Sequence, residues 1–185
     1  ALDANTTASN NTAVGGAALG ANTTGASNTA VGRTALSANT TGIDNVAVGF
    51  QALDANTEAS YHVAIGRDAL GSNTTGTQNT GLGWSALLTN STGSYNTAIG
   101  SSALYSNTTA SNNTAVGRDA LNANTTGHSN TAVGAGAAST VTTGDENVAV
   151  GHGALQSMAT GNNGNTVVGT DACANANYDA SYNTA

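Results

Sequence analysis

Asn28-Thr29-Ala30-Val31-Gly32-Arg33-Thr34-Ala35-Leu36-Ser37-Ala38-Asn39-Thr40-Thr41-Gly42-Ile43-Asp44 is one complete unit of this chain, and Asn45-Val46-Ala47-Val48-Gly49 begins the next. Tripeptides of the Ala-Val-Gly type end at Gly15, Gly32, Gly49, Gly66, Gly83, Gly100, Gly117, Gly134, Gly151 and Gly169. The step is 17 residues eight times in succession and then 18. A consensus N-T-A-V-G-x-x-A-L-x-x-N-T-T-G-x-x covers all 185 residues in about eleven copies, leaving no linker and no second domain. One added residue is expected near Asn162-Asn163-Gly164 and another between Cys173 and Asn183.

This period is too short for a helix-turn-helix repeat and suits one coil of a parallel β-solenoid. Successive coils stack at about 4.8 Å, so equal positions form ladders along a rod roughly 50 Å long. The expected fold is all-β, a parallel β-roll in a single domain over residues 1–185. The chain begins at Ala1 and stops at Ala185 in mid-pattern, and it reads as a piece of a longer fibre.

Composition narrows the function. The chain has three arginines, no lysine, ten acidic residues and a net charge of −7, so it lacks the basic footprint that nucleic acid requires. A single cysteine excludes an intrachain disulfide framework. No apolar run approaches the roughly 20 residues of a membrane-spanning helix. No catalytic, cofactor or metal constellation is found, and an enzyme is not expected. His62, His128 and His152 fall in three different positions of the repeat and read as surface residues. Cys173 stands in a leucine ladder and reads as a buried inert thiol.

Each ladder then has an expected role. Val14 and its equivalents are always apolar, so they are expected to fill the core, with Thr12 beside them on the same strand face. The strand is expected over Asn11 to Val14 and a second short one around Ala18 and Leu19. Gly15 and its equivalents require a positive φ or a close backbone approach. Two asparagine ladders run through the chain. One starts at Asn5 and Asn22, losing its amide at Val141, Met158 and Ala176. The other runs from Asn11 to Asn183 and is interrupted by His62.

By the same alternation Ala13, Ala30, Ala47, Ala64, Ala98, Ala115, Ala132 and Ala149 face outward. A persistently small outward ladder suggests close approach of another chain, and these alanines are the expected trimer contact. Arg33, Phe50, Arg67, Trp84 and Arg118 share another position, an exposed strip suited to stacking on a cell-surface glycan or receptor.

Asn28-Thr29-Ala30-Val31-Gly32-Arg33-Thr34-Ala35 resembles the repeat of trimeric autotransporter adhesin heads, which follow a shorter S-V-A-I-G-x-x-A-x-A-x-G-x-x pattern. That resemblance implies a left-handed β-roll with three chains around one axis. The stretch Leu36 to Gly42 lengthens the return part by three residues, and the longer form resembles repeats of bacteriophage tail fibres. The implied function is a structural and adhesive fibre segment on a virion or bacterial surface. The alternative is ice binding through threonine, alanine and asparagine ladders. Its candidate residues are Thr6, Thr7, Thr23, Thr24, Thr40, Thr41, Thr74, Thr75, Thr108, Thr109, Thr125 and Thr126.

Overall fold

The computed structural model describes residues 1–156, 161–174, 181–182 and 184–185. Met158, Ala176 and Asn183 lie outside the described residues. Ten three-residue strands occur in chain order: β1 (Thr12–Val14), β2 (Thr29–Val31), β3 (Val46–Val48), β4 (Val63–Ile65), β5 (Thr80–Leu82), β6 (Thr97–Ile99), β7 (Thr114–Val116), β8 (Thr131–Val133), β9 (Val148–Val150) and β10 (Thr166–Val168). They form one parallel sheet in sequential order, each paired to the next in the register set by the repeat. The expected β-solenoid is present, and a bridge from Thr166 to Thr184 continues the stack past β10.

The β9–β10 register steps by 18 residues, Thr166 against Val148. Leu155 still lies one 17-residue step after Ala138, since the Ala138 N–H bonds the Ala154 carbonyl. Asn147 Nδ2 donates to the Asn162 carbonyl, where Asn130 used that of Gly144. The extra residue therefore sits between Leu155 and Asn162, adjoining its expected place.

The sense of the strand is the reverse of the expectation. Ala30, Ala47, Ala64, Ala98, Ala115 and Ala132 are wholly buried, while Val14 is 57% and Leu82 41% exposed. The interior explains the reversal. A Cβ placed on Gly81, which stands in the alanine ladder, would lie 3.4 Å from Leu70 Cγ and 3.2 Å from the Ala86 carbonyl oxygen. That gap admits a methyl group and nothing larger. The core is thus Ala30-type residues packed against the Ala35 and Leu36 ladders. Close packing holds the buried ladder to small side chains, alanine everywhere but Gly81 and, in the last strand, Val167. The outer position varies among Val, Ile and Leu because nothing in its own chain confines it.

Ala18 and Leu19 do not form a second strand. Leucines of this ladder, from Leu2 to Leu155, sit in a turn with φ between 49° and 57°. Left-handed geometry is costly for β-branched side chains, which explains leucine rather than valine or isoleucine at a fully buried site. Each left-handed residue costs about 1–2 kcal/mol. The backbone bonds it makes offset this, as Leu36 N–H does with the Ala52 carbonyl at 2.9 Å. Cys173 shares the geometry, φ 55°, but is half-buried against the core rather than enclosed.

Gly32 and its equivalents from Gly15 to Gly151 meet both conditions, and Gly169 meets the positive φ. Their φ lies between 126° and 139°, and a Cβ on Gly83 would come within 2.6 Å of the Gly100 backbone.

Two internal amide ladders complete the cross-section. Asn39 Nδ2 donates to Asn22 Oδ1 at 2.8 Å and to the Gly42 carbonyl at 3.0 Å. Asn28 Nδ2 donates to the Gly42 carbonyl at 2.8 Å, and its Oδ1 accepts the Asn45 N–H at 3.0 Å. These side chains are fully buried. Their burial also removes Asn22 and its equivalents as acceptors of N-linked glycans. Where Val141 replaces asparagine, Asn124 Oδ1 is buried with no hydrogen-bond partner among the described residues.

Two stability outcomes follow. Gly83→Ala should lower unfolding stability by roughly 2–4 kcal/mol, whereas Gly81→Ala should leave it unchanged or slightly raised. Denaturant titration of the two variants checks this. Val141→Asn should raise stability by about 1 kcal/mol by giving Asn124 Oδ1 a donor, measured the same way.

Candidate interaction surface

Among the described residues there is no cavity, and no cluster of histidine, cysteine, aspartate or glutamate is suited to a metal ion. Among the described residues no helix is long and apolar enough to cross a membrane.

The alanines expected at a trimer contact point inward. Ala30, Ala47, Ala64, Ala98, Ala115, Ala132 and Ala149 are enclosed by their own chain, and Ala13 is half-buried against the core in the first coil. They are unavailable to a partner. The outward pair of each strand takes the position they were given. One ladder is Thr12, Thr29, Val46, Val63, Thr80, Thr97, Thr114, Thr131, Val148 and Thr166. The other is Val14, Val31, Val48, Ile65, Leu82, Ile99, Val116, Val133, Val150 and Val168. Every described member is half-buried or exposed. The face is about 43 Å tall, from nine steps of about 4.8 Å. It carries no charged side chain. Apolar strips of this length on a single chain mark interaction surfaces.

Two ladders border this face. On one side, after the glycine, stand Arg33, Phe50, Arg67, Trp84 and Arg118, together with His152. Of the expected strip, Arg33, Phe50 and Arg67 lie against one another. Arg33 lies over the Phe50 ring at 4.6 Å, and Arg67 lies over it at 5.4 Å. Phe50 is therefore held between two guanidinium groups. Arg67 Nε is 3.0 Å from Asp68 Oδ2, and Arg118 Nη1 is 2.9 Å from Asp119 Oδ2. These pairs are largely solvated and add little stability. Trp84 is 55% exposed. On the other side, before the inward asparagine, stand Asp44, Tyr61, Gln78, Tyr95, Asn112 and Glu146. These are exposed and left-handed, with φ between 54° and 66°.

The threonines expected to meet ice divide into two ladders. Thr6, Thr23, Thr40, Thr74, Thr108 and Thr125 each donate the hydroxyl to a carbonyl of the next coil, at 3.0–3.1 Å. Thr7, Thr24, Thr41, Thr75, Thr109 and Thr126 are exposed, but at a bend rather than on a strand.

Histidine behaviour also departs from the surface expectation at one place. His62 is fully buried in the second asparagine ladder. Its Nδ1 accepts the Asn79 N–H at 3.2 Å, as an asparagine oxygen does elsewhere. The other ring nitrogen faces the Gly76 carbonyl and lies 3.2 Å from Asn73 Nδ2. The imidazole thus substitutes for an amide, one side accepting and the other donating. Burial pushes its pKa down to about 4 from 6.5. His128 instead accepts the Ser111 N–H at an exposed corner, and His152 lies 3.4 Å from Asp171 Oδ1. Burial also raises the carboxyl of the half-buried Asp54 above the ordinary aspartate range.

Comparison of the chain with family models, curated proteins and solved structures gives no match. The surface must be judged on its own geometry.

His62 yields a pH prediction. Between pH 6.5 and about 4 the unfolded chain binds a proton at this residue and the folded chain does not. Stability is therefore full above 6.5 and falls toward pH 4, by about 3 kcal/mol in all. His62→Asn keeps both hydrogen bonds without the titration. Denaturant unfolding at pH 7 and pH 4 should show that variant losing about 3 kcal/mol less than the parent.

Proposed function

We propose that this chain is a structural and adhesive fibre segment that associates with copies of itself, as a homotrimer, through the outward face of its sheet. The observation that carries this reading is the uncharged Thr/Val and Val/Ile/Leu double ladder, open along the full run of strands. With its two borders the face spans about 43 Å by 20 Å, roughly 800 Å² per protomer, which a trimer divides between two neighbours. A single coil has a thin core of alanine and leucine, so burial of a second apolar layer adds what one chain lacks. The trimer and the setting, a phage tail fibre or a bacterial surface adhesin, rest on the resemblance of the N-T-A-V-G-x-x-A repeat. An adhesive contact with a cell-surface glycan or receptor would fall to ladders outside the shared face.

Ice binding is the second reading. One observation favours it: the strand face is regular, with threonine and valine repeating at about 4.8 Å along the rod and alternating across it. The threonine pairs at the bend offer less, since half of their hydroxyls are already bonded within the coil stack.

Sedimentation equilibrium separates the two. The fibre reading expects three times the 17.8 kDa chain mass. Leu82→Lys/Val116→Lys should sediment as a monomer with an unchanged circular dichroism spectrum. A parent chain that is monomeric and shows freezing-point hysteresis would establish the second reading instead.

A further inference from the structure

The two buried amide ladders do not run equally far. The first links every coil from Asn5 to Asn124, each amide donating to the one before it. There it stops. Val141 takes the next place, and the sequence has no asparagine between Asn147 and Asn162 to resume it. The second ladder goes on: Asn130 Oδ1 accepts both the backbone N–H and Nδ2 of Asn147, at 2.9 and 3.0 Å. Asn147 Oδ1 does the same for Asn165, at 3.0 Å each. The coil of residues 130–146 is altered a second time. Ala138 stands between the buried Leu121 and Leu155 with a methyl where the ladder has an isobutyl group. Val141, three residues on, enters the apolar cluster in place of an amide. The losses fall on both surfaces of this coil. On the side it shares with the coil before, Asn124 Oδ1 is buried without a hydrogen-bond partner among the described residues. On the other side Thr142 Oγ1 is buried without one, where Thr125 donates to the following coil at 3.1 Å.

We infer that the coil of residues 130–146 is a break point built into the rod: the coils before it open as one cooperative unit, and the coils from β9 on form a second unit that opens first. The reason lies in the one-dimensional build. Each coil touches only its neighbours, so stability is a sum of coil and junction contributions, and opening is confined by the weakest junctions. Truncating a stacked leucine removes dispersion contacts with the coils on either side. An orphaned buried oxygen keeps its desolvation cost and gains nothing in return. Both penalties act on the two junctions of this one coil. The parallel pairing passes through it undisturbed, β7 to β8 and β8 to β9 in register. The folded rod is therefore continuous, and the difference lies in how it opens. Heat, denaturant or a pull along the rod then opens the part after Glu146 and leaves the coils that carry Phe50 and Trp84 folded. This holds for one chain and for an assembly of chains alike.

Amide hydrogen exchange of the intact chain tests this, read at glycines whose N–H donates to the strand of the preceding coil. Gly83, Gly100 and Gly117 report the first unit, and Gly151 and Gly169 report the second. Gly151 and Gly169 should exchange at one common rate, roughly tenfold or more above a second common rate shared by the other three. Ala138→Leu/Val141→Asn restores the usual pair and should slow Gly151 and Gly169 by roughly tenfold while leaving Gly83 unchanged. Leu104→Ala/Asn107→Val writes the same break into the middle of the rod, and Gly117 should then exchange as fast as Gly151. Rates that rise evenly from coil to coil toward Ala185 would show simple fraying and overturn the inference. So would a Leu104→Ala/Asn107→Val chain in which Gly117 stays as slow as Gly83.

Discussion

Successive coils of this rod are bonded through equivalent atoms, 17 residues apart up to β9 and 18 at β10, and the buried amides are the strictest part of that rule. Asn39 bonds Asn22 below it and, within its own coil, the carbonyl of Gly42. The second ladder orders the backbone directly, since the N–H of Asn45 is held by the oxygen of Asn28. A shift of one residue would leave every one of these groups unpaired in a dry interior, where each costs about 1–3 kcal/mol. Register is fixed by polar satisfaction more than by apolar burial. A core of methyl groups and leucines alone would define it poorly.

This constraint accounts for the chemistry of the remaining ladders. Three left-handed positions per coil, such as Thr34, Leu36 and Asp44, each donate an N–H to an adjacent coil: Leu36 to Ala52 of the next, Thr34 and Asp44 to Gly16 and Ala26 of the one before. The glycine after the strand is invariant because the adjacent coil's backbone fills the place of a Cβ. His62 is admitted among asparagines because an imidazole can accept on one side and donate on the other. Val141 fails the same test and leaves one oxygen orphaned. Charges collect at the corners, where water rather than a neighbouring coil satisfies them.

Much of this was legible in the residues. The 17-residue spacing predicts the parallel sheet, its register and the first strand of each coil to within one residue, while the second strand expected around Ala18 and Leu19 is a turn. The asparagine ladders and the special role of Gly32 follow from what stacking permits. The inward sense of the strand was not legible from apolarity, because both Ala30 and Val31 are hydrophobic. The usable signal was size. From Ala13 to Ala149 that ladder holds nothing larger than alanine while its neighbour varies from valine to leucine, and only a confined site enforces such a limit; Val167, in the last strand, is the exception. The turn at Leu36 was hidden because leucine suits any core; the absence of valine and isoleucine there was its trace. His62 would have been placed correctly by its ladder alone. The reading as a surface residue considered its type and not its neighbours.

The functional surface inherits the same correction. The face first assigned to the interior is the one the rod presents, and the ladder first assigned to a partner is the one it encloses. Thermal unfolding of Ala98→Lys and Ile99→Lys, followed by circular dichroism, tests this most directly. The account predicts that Ile99→Lys melts within a few degrees of the parent while Ala98→Lys loses its folded signal. A tolerated lysine at Ala98 together with collapse at Ile99 would contradict it.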